Sequence, residues 1–575
     1  MSLAQINRDK ITICYDNFDY SEDVRHQTLR DPAKHVSATT GKLCIGHYMP
    51  PGGLRSSMLH PRVPLDPCDI LQAAGNEDDT ILHACQRHWI AEAIRYTHRT
   101  AVEKLFSDDS TATEEPGNLL DWPELPTIER LSPRKTPHYA LSPILENEGT
   151  IAGTYNVIDA IFTGQLKYDC EKDFDGTLIP VYGDQKTFSL LRTIQKERQE
   201  AALQYDRFNW FLPVPGLFHW RTNYMDMIHE TYSGPEYAAV ESTLHHNKNH
   251  LGCVQGHKSP FHHKEEVATR AFDARATALF YRLLPPSVRL SDTEQIDAYI
   301  GSLSRSSFLH KIEEIRQYAF TVAEQSPMLP EPIDDEFSAH AKFLQQMETY
   351  KTLKHAIKHA DIGLIKRVIA RCCLLFHGSG HPKYAFLSFY MTWLTQTAAA
   401  DGSLQLAVLA NGLVNLRGAE DSWFEIDRLN EFFNLQMKTL MATRRTSTID
   451  CAELFRRTAL TGSYCTSLKI AIEATFGEYS NGRHQAKDAS REVRHLAYQI
   501  AKSKSITKNP LGRKSLFQPE DILQHGVKRL DAGVQRFNLQ VIEGELGDED
   551  EDGQMTSTPI AALNNTVTID SDIDD

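Results

Sequence analysis

The sequence predicts an α/β protein: a small mixed-sheet core interrupted by a large all-helical insertion, then a helical C-terminal part and a disordered acidic tail. Three observations predict it. The apolar, β-prone runs, such as Ile11-Thr-Ile-Cys-Tyr and Thr177-Leu-Ile-Pro-Val-Tyr, fall in about the first 220 residues. From about residue 236 the apolar residues recur at helical spacing, and no strand of comparable strength interrupts them. From residue 543 to 575 there are eleven acids and no Lys or Arg, a segment too charged and too poor in apolar residues to build a core.

The elements follow in order. Residues 11–50 read as strand, turn, strand, with Thr39-Thr-Gly41 as a hairpin turn before Lys42-Leu-Cys-Ile-Gly46. The stretches 50–78 and 107–145 are Pro-rich and read as loops. Between them, 79–106 reads as a helix from the spacing of Ile81, Ala84, Trp89, Ile90, Ala93, Ile94 and Ala101. Residues 150–162 suit a strand or a short helix. A strand over 177–183 and a helix over 187–204 come next. Residues 208–218 form a run that Pro213 and Pro215 demote to an edge or irregular strand. Helices are expected at 223–231, 264–283, 292–325, 334–360, 361–376, 382–400, 422–445, 450–478 and 488–503.

At 575 residues the chain exceeds one ordinary core, and two to four units are expected. The boundaries fall at 1–235 for the first part of the core, 236–415 for the helical insertion, and 416–505 for the closing helices. A basic linker and terminal segment over 506–542 and the tail at 543–575 complete the chain. The net charge is −15, and the tail carries most of it, leaving about −4 on the rest. The body shows no strongly basic face. Its best candidate is Lys502 to Lys514, where a solvated flexible linker competes with a DNA contact. No run reaches the ~18–20 apolar residues of a membrane span, and the N-terminus lacks a signal-peptide core. An intracellular protein is expected. The ten cysteines show no CxxC spacing, so reduced, mostly buried thiols are expected.

Three acids carry the chemistry. Asp16 and Asp184 each end a β-prone run, and Glu431 lies in the helical stretch Phe424-Glu-Ile-Asp-Arg-Leu-Asn-Glu431-Phe-Phe-Asn434. Two acids at strand ends and a distant acid on a helix form the arrangement by which an RNase H-like nuclease clamps two Mg²⁺ or Mn²⁺ ions roughly 3.5–4 Å apart. The element order also suits an RNase H-like core with the helical block inserted after its fifth strand. Asp427 lies one turn before Glu431 and rivals it for the third position. Asn17 and Gln185 follow acids and offer them hydrogen bonds; His219 offers a contact to a phosphate or to an acid. Each has a structural alternative: turn and cap for Asp, Asn and Gln, a solvated helix face for Asp427 and Glu431, a backbone-satisfied ring for His219. His250, Cys253, His257 and His262 have spacings that zinc accepts, but no finger frame surrounds them, and a polar His-rich loop is expected. No phosphate-binding loop, GxSxG elbow or HExxH motif is present.

The segments Tyr15-Asp-Asn-Phe-Asp19, Tyr182-Gly-Asp-Gln185, Pro215-Gly-Leu-Phe-His219 and Phe424-Glu-Ile-Asp427 with Asn430-Glu-Phe-Phe-Asn434 resemble a fungal-rich eukaryotic family known as domain of unknown function 6589. The resemblance runs from about residue 11 to 503 and implies no activity by itself. A looser similarity is to hAT-like DDE transposases, which place a helical insertion before the helix bearing the last acid. It implies catalytic roles and metal ligation for Asp16, Asp184 and Glu431, DNA as partner and a nuclear location. Two departures point to a truncated or domesticated relative. The chain begins ten residues before its first strand, leaving no room for a DNA-binding module, and Gly216 stands where the Cys of a Cys-x-x-His pattern belongs. The expected function is therefore that of a transposase-derived, truncated or domesticated protein, with residual phosphodiester cleavage or strand transfer on DNA as the less favoured outcome. The alternative is a non-catalytic scaffold for protein partners.

Overall fold

The computed structural model describes residues 8–22, 34–75, 79–107, 121–235, 240–252, 260–324, 334–397, 402–444, 453–455, 457–458, 461, 468 and 488–543. The strands of the main sheet are β1 (Ile11–Glu22), β2 (Lys34–Ile45), β3 (Leu54–Arg55), β4 (His138–Ala140), β5 (Thr177–Gly183) and β6 (Phe211–Pro215). β1 and β2 pair antiparallel along their whole length, from Ile11 against Ile45 to Glu22 against Lys34. β4 lies antiparallel to β2, β5 parallel to β1, and β6 parallel to β5. The path across the sheet is therefore β4-β2-β1-β5-β6, and only β2 runs against the others. β3 pairs briefly with the start of β5, at Leu54 against Leu178.

β5 is buried along all but its first residue because both its faces are covered. Ile179 and Val181 point into an aromatic cluster with Phe162, Phe174 and Trp210, while Leu178 and Tyr182 point into the helical body. On the first face lie α4 (Ile151–Asp159) and α5 (Gln185–Arg198), the helices before and after β5. β6 pairs only with β5, which explains its two prolines: an edge strand tolerates the missing donors.

The helical body begins with α1 (Pro67–Ala74), α2 (Thr80–Thr97) and α3 (Arg99–Ser107), and resumes after β6 with α6 (Leu217–Tyr232). It continues through α7 (Leu244–His250), α8 (Phe261–Arg282), α9 (Thr293–Ser302), α10 (Arg305–Glu324), α11 (Asp335–His359), α12 (Ile362–Gly378), α13 (Pro382–Thr392) and α14 (Gly402–Asn411). A hairpin of β7 (Leu413–Asn415) and β8 (Trp423–Glu425) leads into α15 (Ile426–Arg444); α16 (Ser490–Ser503) and α17 (Ile522–Asn538) follow. Acidic N-caps start many of them: Asp79, Asp292, Asp334, Asp361 and Asp521 each accept an amide of the first turn.

The chain is thus mixed α/β and mostly helical, and several local expectations are corrected. No turn forms at Thr39-Thr-Gly41, since β2 runs straight through it. Gly41 serves close approach instead: a Cβ there would sit 3.0 Å from Leu141 Cδ1 and 3.1 Å from the Cys14 carbonyl. The helix expected at 79–106 breaks at His98, and the loop expected at 50–78 contains α1. The helix expected from 422 begins at Ile426, after a strand. The basic stretch near 506–514 is pinned rather than a free linker: Arg513 holds Asp334 at 2.7 Å and donates to the carbonyls of Lys504, Ser505 and Thr507. α17 then packs on α12 through paired glycines, a Cβ on Gly526 falling 2.0 Å from the Leu374 carbonyl. Cys372 and Cys373 are buried free thiols. Most of the helix expected at 450–478 and the tail from 544 lie outside the described residues. Among the described residues, no helix is long and apolar enough to cross a membrane.

Candidate functional site

β1 and β5 bring the first two acids together. Cys14 of β1 pairs with Tyr182 of β5, two residues before each acid. Asp184 follows the end of β5, whereas Asp16 lies inside β1, paired with Thr40 of β2, and not at a strand end as expected. Asp16 accepts the Asn17 amide at 2.8 Å. Asp184 caps α5, accepting the Thr187 amide at 2.7 Å.

α15 carries the third acid over β1 and β2. Its Phe433 and Met437 pack on Phe18 and Ala38. Its Asn434 accepts the Thr40 hydroxyl and donates to the Asn17 carbonyl. These contacts set Glu431 above Asp16. α6 supplies the remaining side chain: Gly216 is its N-cap residue, and the amides of Phe218 and His219 donate to Asp427 at 2.9 and 3.1 Å. A Cβ at residue 216 would fall 2.3 Å from an Asp427 oxygen, so glycine is needed for the carboxylate to reach the helix end. Capping aims His219 at Glu431, with Nε2 3.4 Å from Oε1.

Ligand atoms of Asp16, His219 and Glu431 lie within 4.8 Å of one another, the one such group of metal-ligating side chains among the described residues. Asp184 stands beside this group but is not in it; its carboxylate is engaged as a cap. Asp427 is buried and acts as the cap of α6, which corrects its reading as a rival third acid. Asn17 uses its backbone amide on Asp16, while its side chain goes to Asp19 at 2.8 Å. The Gln185 side chain turns to Ser189 at 3.0 Å, not to Asp184. Of the His-rich stretch, Cys253 and His257 lie outside the described residues; the rings of His246 and His250 are 4.5 Å apart.

One acid was not expected. Glu148, just before α4, is 5% exposed. It receives the Thr187 hydroxyl at 3.3 Å, and Thr187 also donates its amide to Asp184, so one residue holds the two carboxylates side by side. The Asn17 amide also favours its carboxylate form. Its signal in the sequence is the helix start Thr150-x-x-Gly153, in which the Thr150 side chain caps α4 and fixes the path of the preceding acid.

The electrostatics follow from crowding. Burial, then Glu431, Glu148 and Asp184, push the Asp16 carboxyl well above the usual range, and the charge of His219 opposes them. Burial and then Asp184 raise Glu148 to about 8. Burial works against the His219 cation, but its hydrogen bond to Glu431 and the charges of Asp427, Asp16 and Glu431 outweigh it and raise the ring to about 10. Burial raises Glu431, yet His219, Asp16 and Lys438 bring it below the usual range. Carboxylates crowded so that Asp16 and Glu148 are raised by their acidic neighbours form a seat for a divalent cation. The buried Glu148 carboxylate and the Asp16–His219–Glu431 spacing both fit such an ion.

Fold and site together define an α/β protein with a carboxylate–imidazole cluster at the middle of β1, beside the end of β5, and under a helix that follows the helical body in the chain. The chain belongs to the family of unknown function DUF6589, whose model matches residues 62–485. The matched stretch contains Glu148, Asp184, His219, Asp427 and Glu431, and Asp16 precedes it. No curated protein and no solved structure matches the chain.

Proposed function

We propose that the protein is an RNase H-like, transposase-derived phosphodiester-cleaving or strand-transfer enzyme acting on DNA with Mg²⁺ or Mn²⁺. The observation that carries this reading is the convergence of Asp16 and Glu431 with His219 within 4.8 Å, from a first strand and a helix more than 400 residues further on. The sheet order supports it: a hairpin, a third strand beside it, and two parallel strands on the other flank, with α4 and α5 as crossovers and α15 closing over the site. Asp16, His219 and Glu431 would hold an ion, with Asp184 and Glu148 beside them. Bound metal of this kind activates water or a 3′-hydroxyl and stabilises the leaving oxygen. The residues' own work is to hold fixed oxygens where positive charge must sit, and to keep the site rigid through the Asp184 and Asp427 caps.

A second reading has one observation in its favour. His219 already stands 3.4 Å from Glu431 as a resident counter-cation, which suits a domesticated, non-catalytic scaffold for protein partners in the nucleus. Incubation of supercoiled and oligonucleotide DNA with the full chain and Mg²⁺ or Mn²⁺ separates the two. The enzyme reading expects nicking or strand joining that Asp184→Asn and Glu431→Gln each abolish. Cleavage that survives both substitutions, or none with either metal, sinks it and leaves the scaffold.

A further inference from the structure

We propose that Asp16, His219 and Glu431 form a mixed nitrogen–oxygen seat that takes Mn²⁺ in preference to Mg²⁺, with His219 as a direct ligand. The inference rests on the metal-dependent reading above and names the ion that site selects. Its first support is geometric. The three ligand atoms lie within 4.8 Å of one another, about twice a metal–ligand bond of roughly 2.0–2.4 Å, so one ion can touch all three. Two of the ligands are carboxylates, which any hard divalent cation accepts. The third is an imidazole, which suits first-row transition ions; Mg²⁺ asks for oxygens and water at near-octahedral angles.

The second support is that His219 is held in place from behind. Its amide donates to Asp427 at 3.1 Å, and its carbonyl accepts from Thr222 and Asn223 at 2.8 Å each. Asn223 also donates to the Tyr384 hydroxyl at 2.6 Å, tying this first turn of α6 to α13. Glu431 is positioned from the other side by the Asn434 contacts to Thr40 and Asn17. Neither backbone has to move for an ion to enter between the two side chains, and His219 gives up to solvent the proton it holds beside Glu431 as the ion takes its place. The third support is the neighbouring Glu148, a further carboxylate buried beside Asp184 that the Thr187 hydroxyl and the Asn17 amide do not keep within the ordinary carboxyl range. The competing explanation is an ion pair that merely clamps α6 to α15.

The test uses the full chain stripped of metal, with Mn²⁺ and Mg²⁺ as the probes. Calorimetric titration is expected to give Mn²⁺ about ten-fold or more over Mg²⁺. Pulsed electron paramagnetic resonance of bound Mn²⁺ is expected to show hyperfine coupling to an imidazole nitrogen. His219→Gln should remove that coupling and bring the two affinities to within about three-fold, while Glu431→Gln weakens both ions. Bound Mn²⁺ without nitrogen coupling overturns the proposal, and the wild-type spectrum suffices for this even if a variant misfolds. An unchanged Mn²⁺-to-Mg²⁺ ratio in folded His219→Gln also overturns it. Nitrogen-coupled Mn²⁺ without DNA cleavage sinks the enzyme reading and leaves this one standing. Cleavage with metal that shows no preference does the reverse, and absence of any metal binding removes both.

Discussion

In the helical body, Arg221 lies 2.9 Å from Glu425 and 3.5 Å from Glu265, Lys351 lies 2.7 Å from Asp273, and Arg513 lies 2.7 Å from Asp334. Around Asp16 the acids outnumber the cations: Glu431, Glu148 and Asp184 raise its carboxyl against the opposing charge of His219. Both regions bury charge, but they treat it differently. Pairing each acid with Arg or Lys makes a joint between helices, because the desolvated charges satisfy each other. Leaving acids to face acids stores repulsion that a bound cation relieves. The difference separates structural carboxylates from candidate ligands on a criterion other than position in a motif.

The sharpest way to break this comparison is Arg221→Met. Glu265 would keep Lys354 at 3.0 Å, but Glu425, 1% exposed, would keep only the charge of Arg428. The Arg221–Glu425 contact is an ion pair rather than an aligned hydrogen bond. Removing one partner of a buried ion pair costs about 3–5 kcal/mol, and the remaining Arg428 places this loss at the lower end. Urea denaturation should show a loss of that size. A loss below about 1 kcal/mol would mean that pairing in the body contributes no more than an exposed salt bridge.

Glu148→Gln should act with the opposite sign. Burial, then Asp184, hold the Glu148 carboxyl up near 8, against an ordinary value near 4.3. A group raised on folding contributes stability that is full below the unfolded pKa and is lost as pH rises through the folded one. The metal-free protein should therefore melt lower at pH 8.5 than at pH 5. Glu148→Gln should raise the metal-free Tm at pH 8.5 by a few degrees, on the order of 1–2 kcal/mol, and flatten the slope. Mn²⁺ should flatten the wild-type slope and stabilise Glu148→Gln less. A variant that melts lower at every pH would make Glu148 a structural acid like those of the body.

How far this was legible in the sequence depends on whether the signal was local. Asp16 and Asp184 end short apolar runs, and such runs announce strands; β5 falls on the expected residues 177–183. The helix bearing Glu431 was visible from its spacing, though its start was not, because Trp423–Glu425 pairs with β7, a long-range event. Glu148 sits in a stretch without periodicity, and its importance comes from Thr187, which is 39 positions away. Asp427 and Glu431 share a helix face in projection, but the approach of α6 at Gly216 assigns one to a cap and the other to the site. The turn expected at Gly41 failed because glycine there serves tight strand packing rather than a positive φ. α17 was missed because the basic residues before it suggested a solvated linker, although Ile522, Leu530, Val534 and Phe537 already lay on one face.

The smallest effect expected is also the one that best separates positioning from ligation. Asp427→Asn keeps an acceptor for the Phe218 and His219 amides but removes the charge at the α6 N-terminus, a loss of about 0.5–1 kcal/mol. If Asp427 acts on the site only by aiming His219, Mn²⁺ affinity should fall a few-fold, in the lower range of effects seen when the support of a metal ligand is disturbed. In a His219→Gln background the same substitution should then change stability but not affinity, since there is no imidazole left to aim. A further fall in affinity in the double variant would show that Asp427 reaches the ion itself. It would then belong with the acids of the Asp16 cluster rather than with the caps, and the line between the two regions would have to be redrawn through α15.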